Sequence, residues 1–354
     1  MRVLVTGGAG FIGSAFVRRT LTDHLADEVV VLDKLTYAGN LANLAPVASN
    51  PRYRFVHGDI ADSELVSRLI AQVDAVVNFA AETHVDRSIL DAGDFVRTDV
   101  YGTWVLIEAA RRNAVQRFVQ VSTDEVYGSV DSGASREGDR LDPTSPYSAS
   151  KAGGELLVAA YQKTYALPAL IVRGANAYGP YQYPEKLIPL HVTNALEGKP
   201  LPVYGDGLQR RQWTPVDDFV SGVDAVLRRG VVGEIYNVGN PEPEDQLPPN
   251  LEISRTILRL LGRSEALLQF VHDRPAHDRR YRVNASKLLA LGWQPAWRFA
   301  DGLVQTVDWY RDNMAWWQAI KSGKYRDYYQ QNYGDRAGLA RARVRLGREA
   351  VPPY

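Results

Sequence analysis

Met1-Arg2-Val3-Leu4-Val5-Thr6-Gly7-Gly8-Ala9-Gly10-Phe11-Ile12-Gly13 decides the fold. A short apolar run stops at a glycine turn and passes straight into a helix-forming segment, so the stretch reads as strand, turn and helix. Comparable runs follow at Val29 to Leu32, Arg54 to Val56, Ala75 to Phe79, Phe118 to Val121 and Leu170 to Val172, with helical stretches between them. Apolar strands that alternate with helices bury both faces, which predicts an α/β fold with a doubly wound parallel sheet of the Rossmann type.

The glycines give the turn a chemical use. Without Cβ atoms at Gly7, Gly10 and Gly13, the backbone N–H groups of the helix start, around Phe11 and Ile12, can approach a pyrophosphate that the helix dipole stabilises. A glycine turn without a ligand is the competing reading. Asp33 closes the second strand, where a carboxylate accepts hydrogen bonds from adenosine ribose hydroxyls and repels a 2′-phosphate. NAD is therefore the expected cofactor, and Lys34 beside Asp33 tempers that preference over NADP. Asp59-Ile60 after the third strand suits an adenine contact.

A chain of 354 residues is long enough for two lobes. The Rossmann domain is expected over 1–180, with 215–239 returning to it through a helix and the strand Ile235 to Val238. A smaller, interleaved C-terminal substrate-binding lobe is expected over 181–214 and 240–333, hinged at Asn176 to Pro180, and a basic tail over 334–354. Lys plus Arg (41) balance Asp plus Glu (41), so no net charge draws the molecule to nucleic acid or a membrane surface. An anionic ligand needs a local basic cradle. With no cysteine, thiolate metal sites and cysteine nucleophiles are excluded, no metal is expected, and a reducing cytoplasm fits. No signal-peptide pattern or membrane-length apolar run is present in the sequence, so a soluble cytoplasmic protein is expected.

Tyr147 and Lys151 fall four residues apart behind Pro146, on one face of an expected helix start. A lysine ammonium there is expected to lower the tyrosine pKa, so that Tyr147 takes a hydroxyl proton as hydride leaves for a nicotinamide. With the glycine fingerprint upstream and Ser122-Thr123 after a strand between them, the set resembles the extended short-chain dehydrogenase/reductase superfamily. Ser122 to Gly128 then places Asp124 and Glu125 at the C-terminal edge of the sheet, where open α/β sheets bind ligands. An isolated Asp-Glu pair is usually a solvated turn. Beside a nicotinamide it has work to do: with a hexose C4 oxidised, the C5 proton is acidic, Glu125 can remove it and Asp124 can protonate the departing C6 hydroxyl.

Phe79 to Ser88, Thr123 to Gly128, Pro146 to Ala152, Tyr178 to Leu190, Tyr204 to Gly207 and Arg274 to Tyr281 together resemble the dTDP-glucose 4,6-dehydratase family, from residue 1 to about 333. The resemblance implies that Thr123 polarises the C4 oxygen, with Asp124 as acid, Glu125 as base and Tyr147 with Lys151 as the redox pair. It also implies cofactor contacts from Ala80, Ala81, Thr98 and Ser122. Contacts to a nucleotide-diphosphate hexose are implied for His84, Asn176, Lys186, Leu187, Pro202, Tyr204, Arg211, Asn250, Arg274 and His277. Arg211 and Arg274 are apt for gripping phosphate oxygens, with surface salt bridging as the alternative. A homodimer through the helices of Tyr101 to Arg112 and Tyr147 to Tyr161 is implied as well. A 4-epimerase or decarboxylase, or a non-catalytic sugar-nucleotide-binding homologue, remains as a rival reading. The chain departs from the family pattern at Asp99 (usually Asn), Ala177 (Asn), Gln212 (Asp) and Phe219 (His), and in the loop Pro241 to Pro249.

Overall fold

The computed structural model describes residues 1–243, 247–275, 277–322, 325 and 329. The predicted basic tail and the middle of the 241–249 loop lie outside the described residues. The chain forms two compact units. The first comprises Met1–Gln182, Arg210–Leu247 and Asp278–Thr306; the second comprises Tyr183–Gln209, Pro248–His277 and the described residues from Val307 onward.

Strands β1 (Arg2–Thr6), β2 (Glu28–Asp33), β3 (Tyr53–His57), β4 (Ala75–Asn78), β5 (Arg117–Thr123) and β6 (Ala169–Gly174) build the sheet of the first unit. After β7 (Asn176–Tyr178), β8 (Leu201–Tyr204) and β9 (Trp213–Pro215), the strand β10 (Ile235–Val238) completes it. Its order is β10-β6-β5-β4-β1-β2-β3 and every pairing is parallel. The order reverses between β1 and β4, and such a switch point opens a crevice at the carboxyl ends of the strands. The predicted Rossmann-type α/β fold is the observed one.

Helices α1 (Phe11–Asp23), α2 (Ser63–Ile70), α3 (Val85–Leu90), α4 (Gly93–Phe95), α5 (Thr103–Arg112) and α6 (Pro146–Tyr165) connect these strands. Further along come α7 (Leu187–Leu196), α8 (Val216–Arg229), α9 (Asn250–Leu260), α10 (Ser286–Ala290), α11 (Phe299–Asp312) and α12 (Met314–Ile320). One face of the sheet packs Val3, Val5, Val119 and Val172 against Phe16 of α1 and Phe219 and Val223 of α8. The other packs Leu4, Val76, Phe118 and Ile171 against Val66, Leu106 and Val158 of α2, α5 and α6. Each such fully buried side chain contributes about 1.5–3 kcal/mol over its exposed state, which fixes the strand ends that carry the site. Phe219 is 2% exposed and serves this core. Residues Asn176 to Tyr178, expected as a hinge, instead form β7, paired in parallel with β9 inside the first unit.

In the second unit β8 pairs in parallel with β11 (Leu268–Val271), and α7 and α9 pack there. Among the described residues no helix is long and apolar enough to cross a membrane.

The start of α6 is sharply defined. The Ser145 hydroxyl accepts from Ser148 N–H at 3.1 Å, the Ser148 hydroxyl donates back to the Ser145 backbone, and Pro146 takes the first turn. Ser145→Ala should cost about 1 kcal/mol, measured as a lower urea midpoint; an unchanged midpoint would refute the cap's role in fixing this helix.

Candidate active site

Backbone geometry makes the glycine turn a phosphate cradle. Gly7 has φ +66°, and a Cβ there would lie 2.6 Å from Ala80 N. At Gly13 a Cβ would run into the Gly7 carbonyl oxygen. No side chain caps α1 at Gly10 and no acidic residue occupies its first turn, so the amides around Phe11 and Ile12 meet no competing protein anion. Asp33 accepts from Ala9 N–H at 2.9 Å and Leu35 N–H at 2.8 Å, which pins its carboxylate across the mouth of this loop. These residues fit a dinucleotide. Ile60 is buried under Gly102, and Thr98 and Ser122 are buried too, the Ser122 hydroxyl without a protein partner. Ala81 is half-buried in the segment after β4.

Lys34 turns to Asp59 (3.7 Å) and Glu82 (3.5 Å) and donates to Thr98 Oγ1 at 3.2 Å. Its ammonium is thereby paired with carboxylates other than Asp33, while its charge still acts on Asp33 against the effect of burial.

At the end of β5, Thr123 caps a 3-10 turn over Asp124–Tyr127, and its hydroxyl lies 3.3 Å from both Asp124 Oδ1 and Glu125 N. Behind the turn, Arg173 binds Glu155 at 2.6 Å and donates to the Tyr127 hydroxyl at 2.8 Å, which in turn donates to Asn237 at 2.8 Å. That buried network anchors the Tyr127 end of the turn that carries the two acids.

Asp124 is 2% exposed and its Oδ2 has no protein partner. Burial first, then the charge of Glu125, push its carboxyl up to about 8, with Arg211 opposing. It is therefore a protonated acid at neutral pH, held as a donor beside Glu125.

Lys151 donates to the Val121 carbonyl at 2.8 Å, and Thr123 hydrogen-bonds Tyr147. The expected lowering of the Tyr147 pKa is not what the surroundings produce. Burial, followed by the charges of Glu125 and Asp99, holds the phenol well above its ordinary value, and burial lowers Lys151. The tyrosine rests as a neutral phenol, because burial first and the nearby carboxylates second penalise its ionised form.

Of the expected substrate residues, His84, Asn176 and Arg211 belong to the first unit. His84 is buried at φ +87°, a left-handed conformation rare outside glycine, and the Asn176 side-chain oxygen is buried with no protein partner. Arg211 donates to the carbonyls of Arg210 (2.8 Å) and Asp278 (2.9 Å) and lies 4.3 Å over the Tyr281 ring, where its charge also reaches Asp124. Gln212 is buried, and Val283 N–H donates to its side chain at 2.9 Å. Ala177 is half-buried against the core.

The second unit carries the others. His277 contacts Asp273 at 2.6 Å and meets the Tyr204 ring edge-on at 5.9 Å, while Arg274 N–H donates to Asp273 at 2.8 Å. Lys186 and Leu187 begin α7 and Asn250 begins α9 with its side-chain oxygen buried and unpartnered. Pro202 lies in β8, its carbonyl facing His191 at 3.1 Å. Sequence reasoning missed Asp273, which holds His277 and Arg274 together, and Glu82, which holds Lys34. Only their place inside quoted motifs or beside them could have drawn attention to them.

A raised carboxyl pKa makes the ionised form a cost to the folded state, absent below the usual carboxylate range and growing as pH climbs to about 8. Asp124→Asn should therefore gain stability over the native chain by on the order of 1 kcal/mol per pH unit across that window. Urea titrations at pH 5 and pH 8 check this, and a pH-independent difference contradicts it.

Residues 4–306 match the GDP-mannose 4,6 dehydratase family. A dTDP-glucose 4,6-dehydratase of Streptomyces niveus is 52% identical over 91% of this chain and 96% of its own length. The crystal structure of DesIV, a dTDP-glucose 4,6-dehydratase of Streptomyces venezuelae solved with NAD bound, matches with 53% identity and a TM-score of 0.88 over 91% of this chain and 100% of that one. A UDP-glucuronic acid 4-epimerase of Bacillus cereus, solved with NAD, shares the fold at 31% identity and a TM-score of 0.82, covering 88% of this chain and 99% of its own. The fold is thus common to dehydratases and epimerases, and the far higher identity falls on the dehydratase side. The chain belongs to the GDP-mannose 4,6 dehydratase family and, within it, to the dTDP-glucose 4,6-dehydratases.

Proposed function

We propose that this chain holds NAD and converts dTDP-glucose to dTDP-4-keto-6-deoxyglucose. The observation that carries the reading is Asp124, a buried carboxylic acid that stays protonated at neutral pH beside Glu125. An epimerase has no leaving hydroxyl for such an acid to protonate. The cradle of Gly7, Gly10 and Gly13 with Asp33 would hold the cofactor, which supplies reversible storage of one hydride.

Tyr147 releases its resting phenolic proton to solvent and, as phenolate, accepts the C4 hydroxyl proton as that carbon is oxidised, and Thr123 donates to the C4 oxygen. Glu125 takes the proton from C5, now acidic beside the ketone. Asp124 gives its proton to the C6 hydroxyl, which leaves as water and forms a C5–C6 double bond. The hydride returns to C6, Glu125 returns a proton to C5, and Asp124 is reprotonated from solvent in place of the proton Tyr147 released, so atoms, protons and electrons balance with no net oxidation. His84, Asn176, Lys186, Leu187, Pro202, Tyr204, Arg211, Asn250, Arg274 and His277 are assigned to the sugar, base and diphosphate of the substrate, with Arg211 and Arg274 suited to its phosphate oxygens. Both ligands are intracellular metabolites, which supports a cytoplasmic location.

We also infer a homodimer through α5 and α6. Tyr101 in the turn before α5, and Trp104, Leu156 and Tyr165 on these helices, are all exposed. Tyr101 contacts Trp104 (5.4 Å), Trp104 donates to the Tyr161 hydroxyl (3.1 Å), and Tyr161 contacts Tyr165 (4.9 Å), giving a continuous aromatic ladder of the kind that marks an interface. Light scattering should give twice the chain mass, and a monomeric mass would refute the dimer.

Incubation with dTDP-, UDP- and GDP-hexoses should yield an alkali-sensitive 4-keto product from dTDP-glucose alone; product from none of them would overturn the reading. Glu125→Gln should lower turnover by about 10²–10⁴-fold and stop deuterium entry at C5 while leaving NAD bound. Ordinary turnover in that variant would remove Glu125 from its role.

A further inference from the structure

We propose that Asp99 is a positioning residue for the redox pair, a buried carboxylate that keeps the Lys151 side chain in its charged form, a task that a neutral amide at this position could not perform. The inference rests on the reading of Tyr147 and Lys151 as the pair that handles the C4 hydroxyl.

Its first support is placement. Asp99 lies in a π-helical turn, Val96–Gly102, and wide turns of this kind put an extra residue into a helix, often at functional sites. On α6, one turn beyond Lys151, Gly154 leaves no room for a Cβ, which would run into the Asp99 carbonyl oxygen. The backbone of the wide turn therefore sits directly on the helix that carries Tyr147, Ser150 and Lys151. Asp99 Oδ2 accepts from the Ser150 hydroxyl at 2.7 Å, and Oδ1 accepts from Glu82 N–H at 3.0 Å.

The second support is charge. Asp99 is 2% exposed and Lys151 is 5% exposed. A desolvated ammonium is costly without an anion nearby, and the Val121 carbonyl that receives the Lys151 proton at 2.8 Å is neutral. Two carboxylates oppose the desolvation of Lys151, Asp99 more strongly than Glu155. Glu155 is already committed to Arg173 through contacts of 2.6 and 3.1 Å. Asp99 is left as the principal counter-charge.

The charged and titratable groups that face Asp99 are Lys151 and Tyr147 on α6 and Glu82 after β4, the last paired in turn with Lys34. Burial pushes the Asp99 carboxyl up to about 6, against Lys151, Ser150 and the Glu82 amide, while the Glu82 charge adds to the rise. Below that pH Asp99 takes up a proton and Lys151 loses its support. Above it, the ionised carboxylate also helps keep Tyr147 a neutral phenol until substrate and cofactor arrive.

The test compares the native full-length chain with Asp99→Asn and Ser150→Ala, measuring kcat and KM for dTDP-glucose from pH 5 to pH 9 and urea midpoints over the same range. The native kcat should fall about tenfold between pH 7 and pH 5, the drop expected one unit below the carboxyl pKa. Asp99→Asn, which holds position 99 in the uncharged form, should lose that limb and run near the native pH 5 kcat across the range, about tenfold below the native chain at pH 7, with KM unchanged. Ser150→Ala should move the acid limb upward, because it removes a donor to the ionised carboxylate. The stability of Asp99→Asn relative to the native chain should rise as pH increases through about 6. Superimposed profiles together with a pH-independent stability difference would overturn the proposal and leave Asp99 a structural residue. A native chain that turns over no nucleotide sugar would instead overturn the catalytic reading, and the stability measurements alone would then decide whether Asp99 ionises as proposed.

Discussion

Two neighbouring carboxyl groups, Asp124 and Glu125, are held at the end of a buried parallel strand, and that constraint organises the rest of the first unit. In water they would both ionise at small cost. Here Asp124 is desolvated beside Glu125, so a proton stays on it at neutral pH. Everything behind the turn serves to keep the pair in place. The Arg173–Glu155 ion pair, the Tyr127 hydroxyl and Asn237 fill the space beneath it with satisfied polar contacts. A buried charged network of this kind is weak evidence for stability, but it anchors the end of the turn that carries the acids.

The tyrosine of the redox pair follows the same logic. It shares its surroundings with three carboxyl groups, those of Asp99, Asp124 and Glu125, and burial together with this crowding keeps it protonated at rest. The capped start of α6 and the glycine contact at Gly154 set how closely these groups approach. Backbone geometry therefore governs the electrostatics of the site as much as the identity of its side chains.

Much of this was legible in the chain. The sheet could be read because parallel strands are apolar on both faces, and β1 ends at the glycine turn where the pattern changes. Tyr147 and Lys151 share a face because Pro146 marks the start of their helix. Other features depend on long-range contacts that leave no local pattern. The three-residue ladder of β7 and β9 is too short for periodicity, so Asn176 to Tyr178 read as a hinge. The rise in the Tyr147 pKa sums burial and charges from distant segments, and the lysine four residues away misled the reading. Lys34 was read against Asp33 beside it, whereas its partners Asp59 and Glu82 arrive from other strand ends. Arg211 was expected to wait for phosphate, yet it also lies over Tyr281 and acts on Asp124.

The central claim is that one hydride leaves C4 and comes back to the same sugar at C6 while the acid pair removes water. dTDP-glucose carrying deuterium at C4 tests it most directly, with the product examined by proton NMR. The account predicts that the label appears at C6 of the product, with none accumulating in reduced cofactor or solvent. Label that stays at C4, or that washes out into water, would contradict it.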